Sequence, residues 1–343
     1  MPRILVFLLA LVALTPSPAP AAEERLVVYT AYEENELKDF WDQFKKDLPD
    51  LAAKASYIRA STGPIMARVE AEKANPQADV IWGVFNDYLT GAANKGLLDG
   101  YQAKESGGVA TMFRHPQNLW QGVTLVTVAF AVNQKKMQDL KLTPPRSWED
   151  LLDPKYKGHI VMSNPSTSGT AYLLLASHVK RLGEDKAFEY YEKLDKNLAQ
   201  VTKSGGAPGR MAASGETPIG IALAYEVDVA RKQGAPIDVI YPTDGVAWTF
   251  EGNALVKGTK NPQNGRRFLD WAMSHSAMDA YVKWRGSGIT RPDISVTGAK
   301  VTDLKLIPLD FVWAAEGCRW TSAPASSSRS SAARAAAKRR RSG

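Results

Sequence analysis

Leu26 to Thr30 (LVVYT) and, three residues on, Glu34 to Leu48 (ENELKDFWDQFKKDL) decide how this chain folds. The first segment is short, β-branched and aromatic, a composition that fits a buried strand. In the second, Leu37, Phe40, Trp41, Phe44 and Leu48 recur at helical spacing and fall on one face. A strand that feeds an amphipathic helix is the building unit of α/β domains.

The same alternation runs outward from that stretch. Strands are predicted at Ala55 to Ile58, Asp79 to Trp82, Val123 to Val132, Ile160 to Met162, Ile219 to Ala222, Ile237 to Tyr241 and Ala254 to Val256. Helices are predicted from Pro64 to Ala74, Ala171 to Arg181, Lys186 to Leu194, Gly209 to Ser214, Asn264 to Ser274 and Ala277 to Trp284. The first of these opens on proline, as helix N-termini favour. The sum is an α/β architecture with mostly parallel sheets. No internal repeat or long Gly/Ser linker interrupts the body. A two-lobe chain without a linker must cross between its lobes in extended segments, and Val128 to Asn133 and Trp248 to Val256 are the candidates.

The N-terminus reads as an export signal. Met1-Pro2-Arg3 supplies a positive start, Ile4 to Leu14 is apolar, and Ser17 to Ala22 offers small residues for cleavage near Ala21 or Ala22. The apolar run has about half the length of a bilayer-spanning helix. No cysteine follows it to accept a lipid. A soluble, exported, periplasmic protein of about 320 residues is expected, enough for two lobes. Cys318 is the sole cysteine, so no intrachain disulfide can form.

The net charge of +7 comes entirely from the tail, where Arg319, Arg329, Arg334, Lys338, Arg339, Arg340 and Arg341 stand without a single acid. The body is electrically balanced, and an exported protein is not expected to take nucleic acid as a partner. Residues 318–343 form the tail, and from Thr321 to Gly343 they are Ser, Ala, Arg and Lys almost throughout, unable to bury a core. They read as a disordered, altered or out-of-frame C-terminus.

In open α/β sheets, ligands sit where strands exit into helices. Three such loops share one chemistry: Arg59 to Gly63 (RASTG), Ser163 to Thr170 (SNPSTSGT) and Lys203 to Pro208 (KSGGAP). Each offers hydroxyls, glycines and a helix N-terminus, whose free N–H groups and positive dipole end suit phosphate, phosphonate or carboxylate. Plain helix capping would use the same residues. Three such loops in one chain point to an anion cleft. None is a Walker loop.

Enzyme signatures are missing: there is no GxSxG, HExxH, GxGxxG or CxxC. His115, His159, His178 and His275 show no ligand spacing. Tyr190-Tyr191 lies within a helical pattern and reads as packing rather than an iron-binding pair. An exported phosphatase-like enzyme is the remote alternative, and no nucleophile beside a base or metal cluster supports it. No cofactor or metal is expected.

Tyr29-Thr30-Ala31 with Glu33, Arg59 to Gly63, Asn75 to Gly83 (NPQADVIWG), Tyr156 to Gly158, Asn164 to Thr170, Gly220-Ile221, Gly234 to Asp238 and Lys257 to Asn261 follow one another in the order of a known pattern. From about Arg25 to Glu316 the chain resembles the extracellular solute-binding proteins of the ferric-iron, phosphonate and sugar-phosphate importer group. Within that group it is most similar to the 2-aminoethylphosphonate-binding receptors. The resemblance implies a type-II periplasmic-binding fold with two α/β lobes, two crossover strands and a central ligand cleft. It places lobe 1 at 23–130 and 249–317 and lobe 2 at 131–248. It implies capture without catalysis, a small anionic ligand, delivery to the membrane permease of an ABC importer, and a monomer.

The ferric branch presents adjacent tyrosines after the strand corresponding to Ile219 to Ala222, whereas here Leu223-Ala224-Tyr225-Glu226 offers one. That departure argues against iron. The chain also departs from the aminoethylphosphonate pattern at Ala60, Pro64 and around Glu251, which bears on the organic part of the ligand. The expected site has Ser61, Thr62 and Gly63 from one lobe and Ser168, Gly169 and Thr170 from the other on the anion. Ser204 and Tyr225 complete the shell, and Glu33 or Glu251 receives a ligand amine. No buried positive charge is required, because oriented N–H groups and hydroxyls satisfy a phosphonate. A sugar phosphate, phosphoglycerate or ferric ion is the alternative ligand.

Overall fold

The computed structural model describes residues 25–286, 288–296 and 303–317. Residues 1–22, read above as an export signal, and the basic tail 318–343 with Cys318 lie outside the described residues. The first half of the chain forms β1 (Leu26–Thr30), α1 (Glu34–Asp47), α2 (Pro49–Ala52), β2 (Ala55–Arg59), α3 (Thr62–Ala71), β3 (Val80–Phe85), α4 (Asn86–Asn94), β4 (Leu98–Asp99) and β5 (Gln121–Asn133). Then follow α5 (Gln134–Asp139), β6 (Ile160–Ser163), α6 (Gly169–Leu182), α7 (Glu184–Asp195), β7 (Leu198–Thr202), α8 (Ala207–Ala213), β8 (Ile219–Leu223) and α9 (Ala224–Lys232). The chain closes with β9 (Ile237–Ile240), β10 (Trp248–Val256), α10 (Pro262–Ala272), α11 (His275–Arg285) and α12 (Phe311–Gly317).

The strands lie in the order β2-β1-β3-β10-β5-β8-β6-β7, with β4 on β10 and β9 on β5. Strand β5 belongs to both halves of the molecule. Its residues 121–127 pair with β10, and Val128 to Asn133 pair with β8 and β9. The chain returns just before Trp248, and β10 pairs within the first half only. The sheets are mixed rather than mostly parallel. Pairs within each βαβ unit are parallel, but β5 and β10 run antiparallel to every strand beside them. Strands that carry the chain across and back must run in opposite senses.

Two aromatic cores anchor the halves. In the first, Tyr32, Phe40 and Phe268 meet Trp82 edge-on, and Trp82 Nε1 donates to Tyr281 Oη at 3.0 Å. In the second, His178 is sealed between Trp148, Tyr190 and Tyr191. Burial pushes its imidazole well below the usual histidine range. Tyr190 donates to the Trp148 carbonyl at 2.8 Å, so the tyrosine pair packs a core away from the strand-exit loops. Helix α12 lies on α4 and accepts at the Ala314 carbonyl from Tyr172 of α6, 2.6 Å away.

One sequence expectation needs adjustment: helix α3 starts at Thr62, placing Pro64 third. Strand β7 and helices α4, α9 and α12 were not expected from the sequence. LAQVT lacks a clear alternation, and α4 and α9 are short and enter directly from a buried strand.

Asp87, in the first turn of α4, is buried and neither carboxyl oxygen has a hydrogen-bond partner among the described residues. Burial pushes its pKa up to about 7, against the pull of the first-turn N–H groups. The native state therefore keeps a proton that the unfolded chain releases from about pH 4 upward. Stability must fall as pH rises from about 4 to 7, by at most about 1.4 kcal/mol per pH unit. Asp87→Asn should flatten that slope in denaturation curves and be the more stable protein at pH 8. An unchanged slope would show that Asp87 is ionised throughout.

Candidate ligand-binding site

The three hydroxyl-rich loops do meet. Ser61 stands at the N-cap of α3 and its side chain makes no capping bond. Ser168 caps α6, accepting from the Ala171 N–H at 3.4 Å and from the Ser163 hydroxyl at 3.0 Å. Ser61, Thr62, Ser168, Gly169, Thr170 and Gly205 line one cavity, together with Ala31, Gly83, Phe85 and Leu223. The hydroxyls of Thr62 and Thr170, both buried, bond to no other described residue. A β-carbon on Gly205 would lie 2.4 Å from Thr170 Oγ1 and 2.9 Å from Ser168 Oγ, so only glycine leaves these hydroxyls their place. Gly169 packs as closely on Thr62, where an added β-carbon would be 2.8 Å from Oγ1.

Glu33, Glu36, Tyr225 and Glu251 complete the wall. Glu33 meets Arg59 at 2.5 Å and Arg210 at 3.3 Å, and accepts from the Ser204 hydroxyl at 2.7 Å and the Gly206 N–H at 3.2 Å. Arg285, wholly buried, pairs with both Glu36 and Glu251, the latter at 2.9 Å. Its guanidinium lies 3.6 Å from the centre of the Tyr225 ring, and Tyr225 donates to Glu36 at 3.1 Å. Burial and the nearby Glu36 raise the Glu251 carboxyl, while Arg285 and Thr124 oppose the rise. Glu226, whose oxygens have no partner among the described residues, is pushed well above the carboxylate range by burial and by Glu33 and Glu36.

Eight of the ten expected site residues therefore line the cavity: Glu33, Ser61, Thr62, Ser168, Gly169, Thr170, Tyr225 and Glu251. Gly63 and Ser204 stand beside it. The Gly63 N–H donates to the Thr167 carbonyl at 3.4 Å, and Ser204 bonds Glu33. Sequence reading missed Glu36, Glu226, Arg210 and Arg285. Glu36 looked like one more polar residue on an amphipathic helix, and Arg285 like a basic residue ending one. A guanidinium, Arg285, is buried within the acidic wall, where it is paired with the carboxylates Glu36 and Glu251.

The cleft is shut. The cavity is small, about 30 Å³. Contacts between Gly63 and Thr167, Glu33 and Ser204, and Glu36 and Tyr225 hold the two sides together. Among the described residues no metal-binding cluster and no helix able to cross a membrane is present.

Comparison with known proteins agrees with this architecture. An uncharacterized protein of Haemophilus influenzae is 33% identical over 317 residues, 87% of this chain and 88% of its own. The periplasmic binding protein AfuA from Actinobacillus pleuropneumoniae, solved with fructose-6-phosphate, is 34% identical with a TM-score of 0.80, covering 86% of this chain and 94% of its own. A putative 2-aminoethylphosphonate-binding periplasmic protein of Salmonella typhi is 26% identical over 79% of this chain and 80% of its own. Residues 75–286 match the family described as bacterial extracellular solute-binding protein, and this chain belongs to that family.

Proposed function

We propose that this protein is the capture component of an ABC importer, exported to the periplasm, and that its cleft takes a small organic phosphate or phosphonate. The convergence of Ser61, Thr62, Ser168, Thr170 and the glycines beside them at one cavity carries this reading. Oriented hydroxyls and backbone N–H groups at strand exits suit a tetrahedral oxyanion without a neighbouring cation. Residues 23–130 with 249–317 would form one lobe and 131–248 the other, with β5 and the chain before β10 as the hinge.

The acidic wall bears on the rest of the ligand. Three carboxylates, Glu33, Glu36 and Glu251, face three guanidinium groups, Arg59, Arg210 and Arg285, while burial pushes the Glu226 carboxyl well above the carboxylate range. No unspent negative charge remains for an ammonium. Hydroxyls can share such acceptors at no charge cost, so a sugar phosphate is the ligand we favour. The relative solved with fructose-6-phosphate supports that choice. An aminophosphonate is the second reading, carried by the aminoethylphosphonate-type sequence blocks and the Salmonella relatives.

A hexose phosphate far exceeds the room in the shut cleft, so binding must open the lobes and replace their direct contacts with contacts through the ligand. Thermal melting of the mature protein tests this. The panel is glucose 6-phosphate, fructose 6-phosphate, 2-aminoethylphosphonate, phosphoglycerate, phosphate and ferric citrate. A ligand at a hundredfold its Kd should add about 2.7 kcal/mol. A rise with 2-aminoethylphosphonate alone would overturn the sugar-phosphate choice. A cooperative melt unmoved by every anion would remove the whole ligand class.

A further inference from the structure

Arg285 ends α11 in the first half of the molecule, buried entirely, yet its nearest aromatic partner is Tyr225 at the start of α9 in the second. Such a placement is costly unless the charge is paired and every donor used. Here the guanidinium reaches Glu36 on α1 and Glu251 on β10, with Nε at 3.2 Å and the terminal nitrogen at 2.9 Å from the same Glu251 oxygen. The third contact crosses the cleft. Tyr225 lays its ring on the guanidinium at 3.6 Å and sends its hydroxyl to Glu36, the carboxylate that Arg285 already holds.

We propose that Arg285 is the positioning residue of this binding site: it pairs with Glu36 and Glu251 on the cleft wall, cancelling one of their two charges, and clasps Tyr225 from the facing lobe. Its charge role rests on the reading of the ligand as an anion. Its clasp role does not. Without the guanidinium, two carboxylates would face the incoming anion in the cavity that the hydroxyl loops also line. Tyr225 would lose the flat cation on which its ring rests. The groups that face this centre are Glu33 at the N-cap of α1 and Glu36 within it, Glu251 from β10, Tyr281 from α11, Tyr225 and Glu226 from α9, Arg210 from α8, and Tyr32 after β1. Burial raises the Glu251 carboxyl and Arg285 opposes that rise, so removing Arg285 lets Glu251 take up a proton more readily as pH falls, and the defect is pH-dependent.

The test uses the mature full chain and glucose 6-phosphate titrated by calorimetry from pH 5.5 to 8.5. Arg285→Gln should weaken binding by at least about tenfold at pH 8 relative to wild type, and the ratio should shrink towards pH 5.5. Adding Glu251→Gln to it restores the wall's net charge and should recover most of the affinity. Arg285→Lys keeps the charge and should leave the pH profile parallel to that of wild type. Equal, pH-independent losses in Arg285→Gln and the double variant, with both melting cooperatively, would make Arg285 merely structural and sink the charge role.

The clasp is read without ligand, from a double-mutant cycle of Arg285→Lys and Tyr225→Leu in denaturant. A coupling on the order of tenfold in the folding constant is expected, and additive effects would overturn it. If wild type ignores glucose 6-phosphate, the sugar-phosphate reading fails, and the cycle still decides the clasp.

Discussion

Gly205→Val should abolish ligand-induced stabilisation while leaving the ligand-free protein folded. The glycine sits between the capping loop of α6 and the first turn of α8, and it has no side chain because Thr170 and Ser168 occupy that space. An added β-carbon would meet Thr170 Oγ1 at 2.4 Å and Ser168 Oγ at 2.9 Å. Both contacts are to side-chain ends, so the fold can yield by turning the hydroxyls away, at a cost of about 1–3 kcal/mol. That same turn removes the oxyanion donors and fills the space of the anion. The wild-type gain of about 2.7 kcal/mol at a hundredfold Kd, a rise of roughly 5–10 °C, should disappear. Scanning calorimetry with and without ligand checks it. A variant that melts normally and still gains several degrees with ligand would place the anion away from these loops.

The contrast between what the sequence shows and what it hides has a physical cause. Strand-to-helix loops announce themselves, because hydroxyls, glycines and a following apolar periodicity lie within a few residues of one another. That is why Ser61, Thr62 and the Ser168 to Thr170 run could be read at once, and why the α/β class followed from LVVYT and the helix after it. The acidic wall is assembled instead from α1, α9, β10 and α11, four elements up to 249 residues apart. Glu36, Glu226 and Arg285 each have an ordinary local context, and only tertiary packing makes them one network. The parallel-sheet expectation failed for a related reason. Local pattern identifies a strand but not its neighbours, and the antiparallel sense of β5 and β10 is a consequence of joining two halves.

The shut cleft follows from the same wall. Glu33 satisfies Ser204 and the Gly206 N–H of the facing loop, and Glu36 satisfies Tyr225, so without ligand the two sides already complement each other. A ligand gains only by the difference between its own contacts and those it displaces. Weakening a direct contact made by a residue outside the cavity lining, as in Ser204→Ala, whose hydroxyl bonds Glu33, should therefore tighten binding or leave it unchanged.

The larger effect on the fold is expected at Gly220, in the middle of β8. Its neighbours in register are Ala131 on β5 and Val161 on β6, so its backbone is held on both sides. Above it lies the first turn of α8, so close that an added β-carbon would stand 2.2 Å from the Pro208 carbonyl oxygen and 2.7 Å from its carbon. The obstacle is backbone rather than a side-chain end, and it cannot turn aside. Gly220→Ala must lift α8 from the sheet or bend a strand paired on both edges. We expect a loss of about 3 kcal/mol or more, at the upper end for a single methyl group. Gly107→Ala, where no atom lies within 4 Å, is the matched control and should be near neutral. Since α8 begins directly after Gly205 and Gly206, lifting it also moves the third loop and the Arg210 that pairs with Glu33. Affinity should therefore fall together with the denaturation midpoint, whereas Gly205→Val loses affinity at the smaller stability cost of about 1–3 kcal/mol. A Gly220→Ala protein as stable as its control would mean that α8 rests further from β8 than these distances require, and the loop it carries would no longer be fixed by the sheet.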